Sequence, residues 1–138
     1  MSVHTDFIQV KTKGRRSVVD LTPMVSEIVA AQGIQAGIAI AFVPGSTAAI
    51  TTIEYEPGLV KDIDLFFERL LPYEAYYHHH ETWHDDNGAA HLQAAVVGPS
   101  LTVPIIGGKL ALGTWQQVVL IDFDTRPRQR EIIVQILS

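Results

Sequence analysis

The sequence predicts an α+β fold in a single domain, residues 1–138, with a mostly antiparallel sheet of about seven strands and two to three helices. Short segments rich in β-branched and aromatic residues alternate with turns that contain Gly, Pro or Asp, which is typical of hairpin-connected strands. A few other segments place apolar residues three or four positions apart, as amphipathic helices do. The length of 138 residues suits one domain with one core.

The first part of the chain predicts a hairpin followed by a helix. Val3–Lys13 is typical of a strand, Lys13–Arg16 of a turn, and Ser17–Asp20 is expected to pair back onto the first strand. Thr22 is expected to cap the helix that follows, and Gly33 to end it.

The middle of the chain predicts two strands and a second helix. Gln35–Val43 is apolar at nearly every position, which indicates a strand buried on both faces. The strand breaks at Pro44–Thr47 and resumes as Ala49–Tyr55. Leu59–Leu71 has the apolar spacing of an amphipathic helix, and Pro72 ends it.

The remaining residues predict a short helix and three strands. An extended stretch of histidines leads to the helix Ala89–Val97, which Asp86 or Asn87 caps and Gly98 ends. The three strands are Ser100–Ile106, Thr114–Asp124 and Arg130–Leu137.

Composition excludes several classes of protein. The net charge of −5 argues against binding to the phosphate backbone of nucleic acids, and the absence of cysteine excludes disulfides, thiolate zinc sites and thiol catalysis. No signal peptide or membrane-spanning run is present, so a cytoplasmic protein is expected. Because only 18% of the residues are charged, we expect part of the apolar surface to lie between subunits.

Titratable residues concentrate in the stretch from Tyr77 to His91. It holds five of the six histidines and three acids: His78, His79, His80, His84, His91, Glu81, Asp85 and Asp86. Imidazole and carboxylate groups bind divalent metals and move protons near neutral pH, whereas a solvated surface loop is the alternative interpretation. On a strand, His78 and His80 would share one face, and His91 with an acid would complete a three-ligand site.

His91 is expected in the first turn of its helix, where the helix dipole would lower its pKa and favour the neutral imidazole. The spacing His80-Glu81-x-x-His84 matches the letters of a zinc protease motif. Its flanks do not form an apolar helix, so a metalloprotease is rejected.

Two further segments are candidates for binding or catalysis. In the Pro44–Thr47 break, Gly45 would let the backbone approach a ligand, while Ser46 and Thr47 offer hydroxyls and amides to an anion. A plain turn is the alternative. Glu54 is either a residue of the sheet surface or a positioned acid/base, and the sequence leaves this choice open.

The run from Ala90 to Gln116 resembles the signature region of the YjbQ-like family, also called the secondary thiamine-phosphate synthase family. The matching features are A-H-L at 90–92, Gly98, Ser100, Val103-Pro104, Gly108 and L-G-T-W-Q at 112–116. Upstream, Ser46–Ala48 with Glu54 and Tyr77–His79 match two further blocks, so the resemblance covers nearly the whole chain.

The resemblance implies a small α+β protein that assembles as a homotrimer, with a site near the subunit interface for a small phosphorylated molecule. The implied activity joins a pyrimidine pyrophosphate to a thiazole phosphate. The alternative is a non-catalytic trimer that binds a metal or an anion, and a metal-dependent phosphate-ester hydrolase is a third reading.

The resemblance also implies roles for particular residues. His79 and His91 would bind a divalent ion, zinc or magnesium, or transfer protons, and Glu54 and Asp86 would orient them or share the metal. Phosphate oxygens would contact Ser46, Thr47 and Thr114, and Trp115 would form a wall. Many members carry histidine where this chain has Gly45, so His80 or His84 would supply the missing ligand.

Overall fold

The computed structural model describes residues 1–138. It confirms the α+β class, with eight strands and four helices rather than about seven and two to three. The strands are β1 Val3–Thr12, β2 Ser17–Asp20, β3 Ala36–Phe42, β4 Ala48–Ile53, β5 Ser100–Ile106, β6 Lys109–Leu110, β7 Gln117–Asp122 and β8 Arg128–Leu137. The helices are α1 Thr22–Ala31, α2 Pro57–Leu70, α3 His78–Trp83 and α4 Gly88–Val97. None of these helices has the length and apolar character needed to cross a membrane.

The strands form two antiparallel sheets, one of five strands in the order β1-β8-β3-β5-β6 and one of three in the order β2-β7-β4. The predicted pairing of β2 back onto β1 is wrong, because β2 pairs with β7. The turn before β2 explains the difference. The amides of Arg15 and Arg16 donate to the carbonyls of Asp124 and Asp122 at 2.6 and 2.7 Å, which directs the chain onto the end of β7.

The smaller sheet is covered on both faces. One face packs against the larger sheet and α1, and this core contains seventeen buried apolar residues. The other face packs against α2 and α4 through Phe67, Ala90 and Ala94. Because Val118 and Leu120 enter the first core while Val119 and Ile121 enter the second, β7 requires its continuous apolar sequence.

The histidine stretch is helical where an extended segment was predicted. The His84 amide donates to the His80 carbonyl at 2.8 Å, and His84 then adopts the left-handed conformation that ends α3. Within this helix His78 lies one turn from Glu81, 3.4 Å from its carboxylate. His78 and His80 therefore do not share one face as they would on a strand.

A buried arginine fixes the helical layer. The Arg16 guanidinium donates to Asp64 at 2.9 Å, to Glu68 at 2.8 Å and to the side chain of Gln93 at 3.0 Å. Asp64 and Glu68 belong to α2, and Gln93 belongs to α4. These contacts offset the cost of burying the charge, and they hold α4 at one position against the sheet.

Candidate functional site

Two histidines from different helices meet at the surface of the helical layer. The rings of His79 on α3 and His91 on α4 have centroids 4.3 Å apart, tilted by 36°. His79 Nδ1 lies 3.4 Å from an Asp85 carboxylate oxygen, without the alignment of a hydrogen bond. The sequence-predicted residues His79 and His91 are thus brought together, with a carboxylate at one side.

Gly88 allows this approach of the two helices. A Cβ on Gly88 would stand 2.7 Å from the Tyr77 Cβ and 3.3 Å from the His79 Cβ, so no side chain fits at this position without movement. We expect Gly88→Ala to displace α3, to separate the two imidazoles, and to lower the free energy of unfolding by about 1–3 kcal/mol. Denaturant unfolding and the ring resonances of His79 and His91 measure both effects.

Gly113→Ala provides the matched control, because a Cβ on Gly113 would meet no atom closer than 3.6 Å. Equal stability and unchanged ring resonances in Gly88→Ala and Gly113→Ala would contradict the argument.

His91 is held as a neutral imidazole near neutral pH. Burial lowers the pKa of His91 below its usual 6.5, and the neighbouring His79 lowers it further, while Asp124 and Asp85 oppose the shift. The sequence attributed a lowered pKa to the start of the helix. The structure gives burial and a second imidazole as the causes, since two adjacent imidazoles resist double protonation.

A cavity of 360 Å³ lies beside His91. It is lined by Gly45 and Ser46 of the loop between β3 and β4, and otherwise by small residues and a proline: Ala48, Ala94, Ala95 and Pro99. Residues 45–47 of this loop belong to no strand or helix, and their backbone amides make no hydrogen bonds within the protein. His91, Gly45 and Ser46 therefore line one cavity, and the loop that borders it carries unpaired amides.

A buried charged network supports the loop from below. The Thr47 hydroxyl donates to Asp124 at 3.0 Å and accepts from Arg130 at 2.7 Å. Arg130 donates twice to Asp122, at 2.8 and 2.9 Å, and Arg128 donates to Asp124 at 3.0 Å. The hydroxyl of Thr47 is thus occupied within the protein, and Thr47 positions the loop.

The network also sets the ionisation of its members. The pKa of Asp124 is lowered although burial opposes this, because Thr125, Thr47 and Arg128 donate hydrogen bonds to its carboxylate. The hydrogen bonds from Arg130 to Asp122 raise the pKa of the guanidinium. Both groups therefore stay charged around neutral pH.

Asp122, Asp124 and Arg130 were not predicted as site residues. A signal was present in the sequence. Asp122-x-Asp124 and Arg128-x-Arg130 are like charges spaced by two, which places each pair on one face of an extended chain. An acidic pair and a basic pair on two segments that a short turn joins predict ion pairs across the turn.

The remaining histidines lie apart from the pair. His80 Nδ1 is 2.8 Å from an Asp86 carboxylate oxygen, again without hydrogen-bond alignment. The His80 ring is 5.3 Å from the His84 ring, centroid to centroid, and His80 faces a separate tyrosine-lined cavity. Asp86 therefore orients His80, and neither Asp86 nor His84 joins His79 and His91.

Glu54, Thr114 and Trp115 lie at the far end of the small sheet. Ala48, next to the cavity loop, pairs with Asp122, whereas Ile53, next to Glu54, pairs with Gln117. The length of β4 between these pairs is about 17 Å. Glu54 is exposed and Trp115 is 73% exposed, so one subunit does not bring these three residues to His91.

The donor set of one subunit does not fit a resident metal ion. No three His, Asp or Glu side chains converge on a point that would hold one. His79 and His91 are two adjacent imidazoles, His84 points elsewhere, and catalytic zinc requires three protein ligands. We therefore derive no chemical step through a metal.

Comparison with known proteins identifies the family. The profile of the family described as UPF0047 protein YjbQ-like matches residues 6–138. A UPF0047 protein of Archaeoglobus fulgidus is 39% identical over 130 residues, covering 94% of this chain and 98% of that protein. One of Mycobacterium tuberculosis is 40% identical over 129 residues, covering 93% of each chain.

Solved structures agree with these sequence matches. The crystal structure of a YbjQ-like protein of unknown function from Sulfolobus solfataricus superimposes with a TM-score of 0.93 at 38% identity, covering 99% of this chain and 98% of that one. A protein of this family from Clostridium acetobutylicum superimposes with a TM-score of 0.87 at 32% identity, covering 96% and 99%. The chain therefore belongs to the YjbQ-like UPF0047 family.

Proposed function

We propose that this protein is a transferase that binds a small phosphorylated substrate in the cavity beside His91. The observation that carries the proposal is that His91, whose ring contacts His79, lines one cavity with Gly45 and Ser46, residues of a loop whose amides at 45–47 are unpaired. Amide and hydroxyl donors of this kind bind phosphate oxygens, and paired imidazoles move protons near neutral pH.

The reaction that we propose is the joining of a pyrimidine pyrophosphate to a thiazole phosphate. The thiazole nitrogen forms a bond to the methylene carbon of the pyrimidine as the bond from that carbon to pyrophosphate breaks. The electron pair of the broken bond leaves with pyrophosphate. The protein must therefore stabilise an anion that gains charge, and it needs no strong nucleophile of its own.

The residues around the cavity have properties suited to this step. The Ser46 hydroxyl and the loop amides would donate hydrogen bonds to the departing pyrophosphate. The neutral His91 can donate one N–H to an oxygen of the same group, and His79 can exchange a proton with solvent.

We further propose that the protein acts as a homotrimer. Leu92 and Val96 on α4 are exposed beside His91, and Trp83 at the end of α3 is 69% exposed. Contact with another subunit would bury these side chains. It would also be the only route by which Glu54, Thr114 and Trp115 reach a site, since they lie at the far end of their own subunit.

The direct test is to incubate the untagged protein with a pyrimidine pyrophosphate and a thiazole phosphate, and to measure the coupled product and released pyrophosphate. Mass measurement of the native assembly and elemental analysis accompany the assay. Coupled product formed at a steady rate supports the transferase. Tight binding of either substrate without product supports the alternative, a non-catalytic trimer that binds anions or metal. Release of inorganic phosphate without the thiazole partner would indicate a hydrolase.

A further inference from the structure

Arg130 extends its guanidinium from β8 to the underside of the cavity loop. Its Nε and one terminal nitrogen, Nη2, hold the buried carboxylate of Asp122, and Nη2 also donates to the Thr47 hydroxyl. The side chain is only 11% exposed. Its position is therefore determined by three hydrogen bonds before any ligand arrives.

The other terminal nitrogen of the guanidinium, Nη1, is not used in these contacts. It makes no hydrogen bond within the protein, although it can donate two. It lies 3.1 Å from the point where a Cβ on residue 45 would stand. Because residue 45 is glycine, no side chain covers this nitrogen at the loop that borders the cavity.

We propose that Nη1 of Arg130 is the cationic contact for a phosphate group of the substrate, bound together with the amides of residues 45–47. This inference rests on the proposed function and names the group that recognises the substrate's anion.

Three observations support this role over a purely structural one. A structural arginine would use both terminal nitrogens within the protein, whereas this one leaves a complete NH₂ group unused. Unpaired backbone amides lie on the same loop, so two kinds of anion donor are adjacent. A pyrophosphate requires positive charge, and the guanidinium of Arg130 lies at the loop that borders the cavity and can supply it.

The glycine at position 45 follows from the same geometry. Any side chain there would crowd Nη1, and the backbone φ of 157° lies at the edge of the region that residues with a Cβ rarely adopt. Glycine at position 45 thus keeps Nη1 of Arg130 accessible.

The test is calorimetric titration of the full-length protein with inorganic phosphate and with pyrophosphate. Arg130→Lys keeps a positive charge near Asp122 but removes the terminal nitrogen Nη1. Its expected effect is a roughly tenfold to hundredfold loss of affinity for pyrophosphate, the size expected for a hydrogen bond to a charged group. Arg69→Lys is the matched control, because Arg69 is exposed and makes no ion pair; its affinity should equal that of the wild type.

Gly45→Ala tests the same site without touching the ion pair of Arg130 with Asp122. Its Cβ would crowd Nη1, so a loss of affinity is expected while Arg130 keeps its partners. Arg69→Lys is again the control, because Arg69 is exposed on α2. The NMR resonance of the Arg130 Nε–H should move on addition of pyrophosphate in the wild type. This measurement applies even if the lysine variant fails to fold.

Wild-type affinity in folded Arg130→Lys would overturn the inference, as would an Arg130 resonance that does not move at saturation. Failure of the wild type to bind either anion would overturn it as well. The outcomes separate the two proposals. Anion binding that depends on Arg130 without any coupled product leaves this site standing and rejects the transferase. Coupling with an unchanged KM in Arg130→Lys does the reverse.

Discussion

Replacing Asp122 with alanine is expected to lower the free energy of unfolding by about 3–5 kcal/mol, the cost of leaving a buried charge without its partner. Asp122 is fully buried and accepts hydrogen bonds from Thr12 at 2.6 Å, from Arg130 at 2.8 and 2.9 Å and from the Asp124 amide at 3.0 Å. Its removal leaves the buried guanidinium of Arg130 with one hydrogen-bond acceptor, Thr47, and one carboxylate at 3.9 Å, that of Asp124.

Denaturant unfolding of the wild type and of Asp122→Ala measures this loss of stability, from both the midpoint and the slope of the transition. Asp62→Ala is the matched control: Asp62 is exposed on α2 and forms no ion pair, so its removal should change stability by less than about 0.5 kcal/mol. A loss below about 1 kcal/mol in Asp122→Ala would show that the network does not hold the loop and β8 together.

Replacing His91 with alanine is expected to reduce turnover in the coupling assay by about 10²–10⁴-fold, the usual contribution of one positioned proton-transfer group. His91 lines the cavity and contacts the His79 ring, so its loss removes the donor nearest the proposed substrate. His78→Ala is the control, since the His78 side chain is 89% exposed and contacts only Tyr76 and Glu81. Turnover in His91→Ala equal to that in His78→Ala would remove His91 from the mechanism.

The pH dependence of His91 has a defined sign. In the folded protein its pKa lies below the ordinary 6.5. As the pH falls below 6.5, the unfolded chain takes up a proton at residue 91 before the folded protein does, so stability falls with pH in that window. The contribution is complete above pH 6.5 and is lost as the pH falls toward the lowered pKa. Unfolding curves between pH 5 and 8 should therefore show a weaker loss of stability in His91→Ala than in the wild type.

Much of the fold follows from local sequence patterns. β5 has the predicted bounds, and α4 begins one residue earlier than predicted and ends where predicted. The apolar run Gln35–Val43 predicted a strand buried on both faces, but β3 buries only alternate residues, and β7 is the strand that is buried on both faces. The sequence also placed His91 early in a helix and brought Gly45 and Ser46 into one loop, since both depend on nearby residues.

The candidate site could be predicted only in part, because much of it depends on residues that are far apart in the chain. The motif residues His79 and His91 do meet, but Glu54, Asp86, His84, Thr114 and Trp115 do not join them within one subunit. Arg130 was correctly predicted to lie in the last strand, but its position beneath the loop of Gly45 was not predicted. Residues 45 and 130 are far apart in the chain, and no local pattern links them.

The class of fold, most of the strands and helices, and the meeting of His79 and His91 at one site could be predicted from the sequence alone. These features depend on hydrophobic periodicity and on a family motif. The partner of β2 and the position of Arg130 beneath the loop of Gly45 became known only from the tertiary structure. These depend on contacts between residues distant in the chain, where a buried charge accepts the one arrangement that satisfies its hydrogen bonds.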